Sequence, residues 1–135
     1  MSGAEAVIAE KAWAMALDFL QEAERTVPGL MPRVATHSAY YAAFHAARAV
    51  PLRAEGIKAP TGHAAVVNRF GWMAKQAGDP ALVAAARALR TMRDNRVSAD
   101  YTAVRRPSGA SAAEMIAGAR TFLETCARIS AFPPP

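Results

Sequence analysis

The chain has 135 residues, a net charge of +5 and a single cysteine, Cys126. Its length suits one domain that buries roughly two thirds of its unfolded surface, and one cysteine excludes an internal disulfide and favours a reducing compartment. Because no apolar stretch approaches about 18 residues and the start lacks the basic and apolar pattern of a signal peptide, we expect a soluble cytoplasmic protein without a membrane span.

The charge is unevenly distributed along the chain. Residues 1–24 hold five acids and one base, whereas residues 25–110 hold thirteen bases and four acids. A surplus of this kind suits a partner that carries phosphate. A genome rich in G and C, which favours arginine codons, would explain the 13 arginines among the 16 bases equally well.

The spacing of apolar residues and the positions of capping residues, glycine and proline predict two long helices in the first part of the chain. Ser2 and Glu5 have capping-box spacing and predict a helix that ends near Thr26. The proline-containing turn after it is followed by a second helix over residues 33–55, with a kink near its end at Pro51. The many alanines of this second helix should let neighbouring helices approach closely.

A loop over residues 56–62 separates these helices from a third, predicted for residues 63–76. The sequence Ala77-Gly78-Asp79-Pro80 then supplies a C-terminal glycine, an N-cap and a first-turn proline in succession. It predicts a tight junction into a fourth helix that ends near Asp100, followed by a surface loop over residues 102–110.

Ser111 and Glu114 form a second capping box and predict the start of a fifth helix. The prolines of residues 133–135 cannot be helical, and we expect a disordered tail there. Short links make consecutive helices antiparallel neighbours. The predicted fold is therefore all-α: one domain over residues 1–132, built as an up-and-down bundle of four main helices plus a shorter one.

The fourth helix has an inward stripe that begins apolar and ends charged. At about 100° per residue, six side chains fall within roughly 40° of one line: Leu82, Ala86, Leu89, Arg93, Arg96 and Asp100. Burying an unpaired charge costs several kcal/mol, so the arginines need a partner. Arg96 and Asp100 could form an ion pair one turn apart. Alternatively, Arg93 and Arg96 could line a groove that binds RNA phosphate or a nucleotide.

Four segments, in order, resemble landmarks of one family. They are residues 40–48 (YYAAFHAAR), 55–57 (EGI), 62–63 (GH) and 96–101 (RVSADY). Together they look like the small, single-domain branch of the HEPN domain family, and the resemblance extends over residues from about 8 to 130. It implies a helical bundle that commonly forms a homodimer and places its signature arginine in the cleft between subunits.

The resemblance also implies a role in RNA-directed defence or stress systems. Many members are toxins that cut RNA without a metal. Others are catalytically silent partners that bind RNA or nucleotides, often paired with a nucleotidyltransferase antitoxin. On this basis Arg93, Arg96 and Tyr101 would bind RNA or a nucleotide at the dimer cleft, with no cofactor. A protein-interaction module with a vestigial cleft is a further alternative.

Nuclease members carry an arginine, four to six intervening residues and a histidine. Here Arg96 fits the arginine, but Tyr101 stands where the histidine would be. Tyrosine, with a pKa near 10, is a poor acid or base at neutral pH, so catalysis would need Asp100, Tyr101 or His45 to move protons. In some family members a tyrosine near this motif accepts a nucleotidyl group, which is another role for Tyr101.

The histidines offer weaker signals. One face of the second helix could stack bases, and it carries Tyr41, Phe44, His45 and Arg48. The simpler interpretation is that Tyr40, Tyr41 and Phe44 are core and that His45 is an interior histidine with a hydrogen bond to a neighbouring helix. His37 is expected to be exposed, and His63 suits a polar first-turn position. No histidines stand four residues apart and no carboxylates cluster, so we expect no metal.

Overall fold

The computed structural model of the chain describes residues 3–55, 61–101 and 107–135, and of residues 98–101 it describes the backbone alone. Five α-helices occupy these ranges: α1 (Gly3–Arg25), α2 (Pro32–Glu55), α3 (His63–Ala77), α4 (Pro80–Tyr101) and α5 (Gly109–Ser130). The prediction of an all-α fold is confirmed. The shorter helix is α3, with 15 residues against 22 to 24 for the others.

The second helix, α2, is the centre of the bundle and packs against all four others. Its alanines make this possible, because a methyl side chain lets a neighbouring backbone come close. Seven of them are at most 1% exposed: Ala35, Ala39, Ala42, Ala43, Ala46, Ala47 and Ala49. The larger side chains that fill the remaining space include Trp13, Tyr40, Phe70 and Phe122. Cys126 is fully buried among them, as a small core residue.

The junction between α3 and α4 forms as predicted. Gly78 adopts a left-handed conformation with φ of 66°, and its N–H reaches the carbonyls of Ala74 and Lys75. The Asp79 carboxylate accepts the N–H of Ala81 at 2.8 Å, as an N-cap does. This two-residue link turns the chain sharply, so α3 and α4 run antiparallel and the start of α3 lies near the end of α4.

The start of α5 differs from the prediction. The N-cap is Ser108, whose Oγ accepts the N–H of Ser111 at 3.0 Å, and α5 begins at Gly109. The prediction that Ser111 is the N-cap is therefore wrong. Ser108 lies three residues before Ser111, and its hydroxyl accepts the backbone N–H of Ser111, one of the donors in the first turn that have no partner within the helix. The capping box at Ser2 and the predicted loop over residues 56–60 lie outside the described residues.

The C-terminal residues are in contact with α1. Ala131, with φ of 54°, ends α5 and directs Phe132 onto the indole of Trp13, with the ring centroids 4.7 Å apart. The indole Nε1 of Trp13 donates a hydrogen bond to the carbonyl of Pro133 at 2.8 Å. This contact departs from the expectation of a disordered tail, since burial of the indole requires a partner for its N–H.

Candidate functional site

The inward stripe of α4 ends in two half-buried arginines, Arg93 and Arg96. Arg96 Nη2 donates a hydrogen bond to Tyr41 Oη at 3.1 Å. Its guanidinium carbon also lies 5.7 and 5.5 Å from the ring centroids of Tyr40 and Tyr41, within the range of a cation–π attraction. The charged end of the stripe therefore faces the aromatic side chains of α2.

The neighbouring arginine, Arg93, has an unsatisfied donor. Its Nε is buried, and within the described part of the chain it has no hydrogen-bond partner. A buried charged donor without a hydrogen-bond partner costs about 1–3 kcal/mol or more. The Nε of Arg48 is likewise buried without a partner among the described residues, but it lies on α2 and not on the stripe of α4. An anion that entered beside α4 would satisfy the Nε of Arg93.

The third member of this group is His63, the first residue of α3. Its Nδ1 is 2.9 Å from Tyr40 Oη, and either atom can donate, depending on which ring nitrogen carries the proton. Its ring stacks on Phe44 at 4.3 Å. Burial lowers the pKa of His63, and the charges of Arg96 and Arg93 lower it further. We call Arg93, Arg96 and His63 the arginine corner: two cations beside an imidazole whose pKa they lower.

His45 lies in a different environment, deeper in α2. Arg48 Nη1 donates to His45 Nδ1 at 3.2 Å, and because arginine only donates, the proton of this imidazole is on Nε2. Its ring stacks on Phe19 at 5.4 Å. Burial and then the charge of Arg48 lower the pKa of His45 to about 4. It is an interior histidine, as the simpler interpretation held, but its partner is on its own helix and not on a neighbour.

The aromatic side chains of α2 divide between core and site. Tyr40 and Phe44 are buried, and burial raises the pKa of Tyr40. Tyr41 is half-buried, and its ring stacks with those of Phe19 and His37 at centroid distances of 5.5 and 6.3 Å. His37 is thus less exposed than the sequence predicted. A stacking surface for a base can involve Tyr41 but not its buried neighbours.

Two of the predicted site residues can be placed only by their backbone. Asp100 and Tyr101 form the last turn of α4, and their side chains lie outside the described part of the chain. Helical geometry puts Asp100 one turn beyond Arg96 and Tyr101 a further 100° around the axis. The predicted alternatives for these side chains, an ion pair or a ligand contact, therefore stay predictions.

Sequence reasoning missed the position of His63. The residues around it suggest only a polar first-turn position, although the tight junction at residues 78–79 predicts that α3 and α4 run antiparallel. An antiparallel pair of this length brings residue 63 close to the turn that contains Arg93 and Arg96. The position of His63 beside Arg93 and Arg96 can therefore be predicted from the junction and from the lengths of the two helices. The residues around His63 do not indicate it.

Two other kinds of feature are not seen in the residues that the structure describes. In those ranges no three histidine, cysteine, aspartate or glutamate side chains come together as a metal site would require. None of the described helices is both long and apolar enough to cross a membrane.

Comparison with known proteins supplies the family. A family model described as the HEPN domain matches residues 9–129, which includes all of the arginine corner and most of every helix. Neither a curated protein nor a solved structure matches the chain. The match supports a helical module connected with RNA or nucleotides, and the chain belongs to the HEPN domain family.

Proposed function

We propose that this HEPN protein binds RNA or a nucleotide at the arginine corner. Arg93 and Arg96 hold a phosphate, and Tyr101 contributes from the last turn of α4. The observation that carries the proposal is the buried Nε of Arg93, which has no hydrogen-bond partner among the described residues, close enough to His63 for its charge to lower the pKa of that histidine. Guanidinium groups bind phosphate oxygens with two parallel hydrogen bonds, so an entering phosphate would satisfy this donor.

Fluorescence polarisation with a labelled oligouridine of ten nucleotides tests the proposal. Charge-assisted hydrogen bonds contribute about 1.5–3 kcal/mol, so Arg96→Ala should weaken binding by about tenfold or more. Arg25→Gln is the matched control, because Arg25 is exposed at the end of α1, which packs on α2 and α5. Equal affinities for the wild type and Arg96→Ala would refute the proposal.

The biological setting that we propose follows from the family. Members often dimerise and bind RNA, and we place the arginine corner in the cleft of a homodimer in the cytoplasm. The partner is a nucleotidyltransferase antitoxin that regulates the protein by adding a nucleotide to Tyr101. Light scattering would measure the dimer. The intact mass of protein from its own host would reveal an added nucleotide, and an unmodified mass would count against this regulation.

A second function, a metal-independent endoribonuclease, is favoured by one observation. His63 supplies beside the arginines an imidazole that can accept a proton, although burial and then the charges of Arg96 and Arg93 lower its pKa. His63 would take the proton of a ribose 2′-hydroxyl, the 2′ oxygen would attack phosphorus, and the bond to the 5′ oxygen would break, with water protonating the leaving oxygen. His45, with a pKa of about 4, is a weak base at pH 7. Asp100 remains the alternative on α4.

Cleavage of RNA in the presence of EDTA distinguishes the two functions. An endoribonuclease of this kind should leave 2′,3′-cyclic phosphate ends, and His63→Gln should abolish cleavage while retaining RNA binding. Arg96→Ala should abolish both. If the wild type binds RNA without cleaving it, the enzyme function is excluded and the binding function stands.

A further inference from the structure

The hydrogen bond between Tyr40 and His63 decides which ring nitrogen of His63 carries a proton. Tyr40 Oη lies 2.9 Å from His63 Nδ1. Tyr40 is fully buried, and within the described ranges its hydroxyl forms no second hydrogen bond. A tyrosine hydroxyl has one hydrogen to donate, so Nδ1 of His63 is the acceptor that this hydrogen needs.

Donation in the opposite direction would leave a buried donor unsatisfied. If Nδ1 carried the proton and donated it to Oη, the hydroxyl hydrogen of Tyr40 would have no acceptor, an arrangement that native structures avoid. Tyr40 therefore donates and Nδ1 accepts. Because a neutral imidazole has one proton on its nitrogens, that of His63 is on Nε2.

The neighbouring rings hold the imidazole in this orientation. The His63 ring stacks on Phe44 with the centroids 4.3 Å apart and on Tyr40 at 5.6 Å. A half-turn flip of the imidazole would carry Nδ1 away and leave the hydroxyl of Tyr40 without its acceptor. Since Nδ1 points at a buried group and His63 is only half-buried, Nε2 lies on the part of the ring that turns away from the core.

The electrostatic surroundings favour the same neutral form of the ring. Burial lowers the pKa of His63, and the charges of Arg96 and Arg93 lower it further. The ordinary pKa of histidine is about 6.5, so the neutral ring predominates at pH 7.5. A second proton would have to bind at Nδ1, where it would displace the hydrogen of Tyr40. The hydrogen bond and the two cations therefore act in the same direction.

We infer that Tyr40 is a positioning residue that fixes His63 as a hydrogen-bond donor, with the Nε2–H directed to the phosphate of the ligand. This inference rests on the proposed function and adds a third donor to its site. All three members of the arginine corner then only donate, because a guanidinium group has no acceptor. A phosphate oxygen only accepts, whereas ribose hydroxyls and base edges also donate. The arginine corner therefore selects the phosphate of a ligand and not its sugar or base.

The same hydrogen bond leaves His63 without a free acceptor nitrogen. A general base needs a lone pair that faces the proton it removes. Nδ1 is occupied by the hydroxyl of Tyr40, and Nε2 already carries a hydrogen. His63 is therefore a ligand-binding residue, and an endoribonuclease would have to take its base from another side chain.

Three variants and one control test the inference. His63→Gln keeps an N–H donor and offers Tyr40 a carbonyl acceptor, whereas His63→Leu offers neither. Tyr40→Phe keeps the buried ring and removes the hydroxyl. The control Tyr41→Phe removes the hydroxyl of the next residue, which accepts a hydrogen bond from Arg96 and forms none with His63. Circular dichroism checks that each variant folds.

The first readout is the His63 ring in a long-range ¹H–¹⁵N NMR spectrum at pH 7.5, with its signals identified by their loss in His63→Gln. The wild type should carry the proton on Nε2, with and without oligouridine. The Nδ1 signal should shift in Tyr40→Phe, which removes its hydrogen bond, and should stay in place in Tyr41→Phe. A proton on Nδ1 in the wild type would overturn the inference.

The second readout is the affinity for labelled oligouridine, measured by fluorescence polarisation. His63→Leu should bind about fivefold to tenfold more weakly, because a hydrogen bond to a charged group is lost, and His63→Gln should stay within about twofold of the wild type. Tyr40→Phe should bind about threefold more weakly, because the ring is no longer held in the binding orientation. If Tyr40→Phe does not fold, the wild-type spectrum and the two His63 variants still decide.

The outcomes distinguish failure of the inference from failure of the proposed function. If His63→Leu binds oligouridine as tightly as the wild type while Arg96→Ala binds it more weakly, the inference is overturned and the proposed function stands. Equal affinities of the wild type and Arg96→Ala would refute the proposed function itself. Cleavage of oligouridine in EDTA that disappears in His63→Gln would also overturn the inference, since His63 would then act as a base.

Discussion

The hydrogen bond from Arg96 Nη2 to Tyr41 Oη allows a sharp test of how the arginine corner is held. Tyr41→Phe keeps the ring that the guanidinium contacts and removes only the acceptor, which lies 3.1 Å from Nη2. A hydrogen bond to a charged group contributes about 1.5–3 kcal/mol when it is well shielded, and partial exposure of both side chains reduces this to about 1 kcal/mol. We therefore expect RNA binding to weaken about fivefold.

A double-mutant cycle gives this prediction its control. Fluorescence polarisation with oligouridine would be measured for the wild type, Tyr41→Phe, Arg96→Ala and the double variant. If Tyr41 acts by orienting Arg96, Tyr41→Phe should cause no further loss of affinity for oligouridine in the Arg96→Ala background. The same fivefold loss in both backgrounds would refute the reasoning, because Tyr41 would then contact the ligand or support the fold independently of Arg96.

Three further predictions concern stability and charge. Gly109→Ala should lower the free energy of unfolding by about 1–3 kcal/mol in urea titrations, because its Cβ would come within 2.9 Å of the Gly29 backbone, whereas Gly118→Ala, with open space around it, should raise it by up to about 1 kcal/mol. Stability should fall as pH drops from about 6.5 towards 4, because the unfolded chain binds a proton at His45 that the folded protein, with a pKa of about 4 there, does not; His45→Gln should flatten this dependence. Asp94→Asn should tighten oligouridine binding by about twofold to fivefold, since it removes the acid that follows Arg93 in α4.

Each of these has an outcome that would count against its reasoning. A Gly109→Ala variant as stable as the wild type would mean that the close approach to the Gly29 backbone relaxes without cost. If the free energy of unfolding falls equally steeply with pH in the wild type and in His45→Gln, groups other than His45 cause the loss of stability. Unchanged binding by Asp94→Asn would mean that this carboxylate does not act on the bound ligand.

Capping residues, prolines and the spacing of apolar residues are sufficient to predict the helices. The prediction of a helix start fails where two nearby residues could each act as the N-cap. The junction at Gly78 and Asp79 was predictable because each residue acts on the backbone beside it. At the start of α5 two serines offered caps three residues apart, and only the geometry of the preceding chain makes Ser108 the one that accepts a hydrogen bond. The predicted start is therefore three residues too late, although the helix itself is predicted.

The candidate site was only partly predictable, because it depends on contacts between helices. The stripe of α4 identified Arg93 and Arg96 from periodicity alone. Their neighbour His63 is 30 or more residues away along the chain, and its importance depends on how α3 packs. The C-terminus likewise depends on a contact between distant parts of the chain. Composition alone predicts a disordered tail over residues 133–135, but the indole of Trp13 donates a hydrogen bond to the carbonyl of Pro133.

The central claim is that Arg93 and Arg96 receive a phosphate beside His63. The most direct measurement is the arginine Nε–H region of a ¹H–¹⁵N NMR spectrum, with the Arg93 signal identified by its loss in Arg93→Lys, during titration with oligouridine. The account predicts that the Arg93 and Arg96 signals shift most and that the His63 ring signals move with them. Shifts confined to arginines elsewhere in the chain, with Arg93 and Arg96 unchanged at saturation, would contradict it.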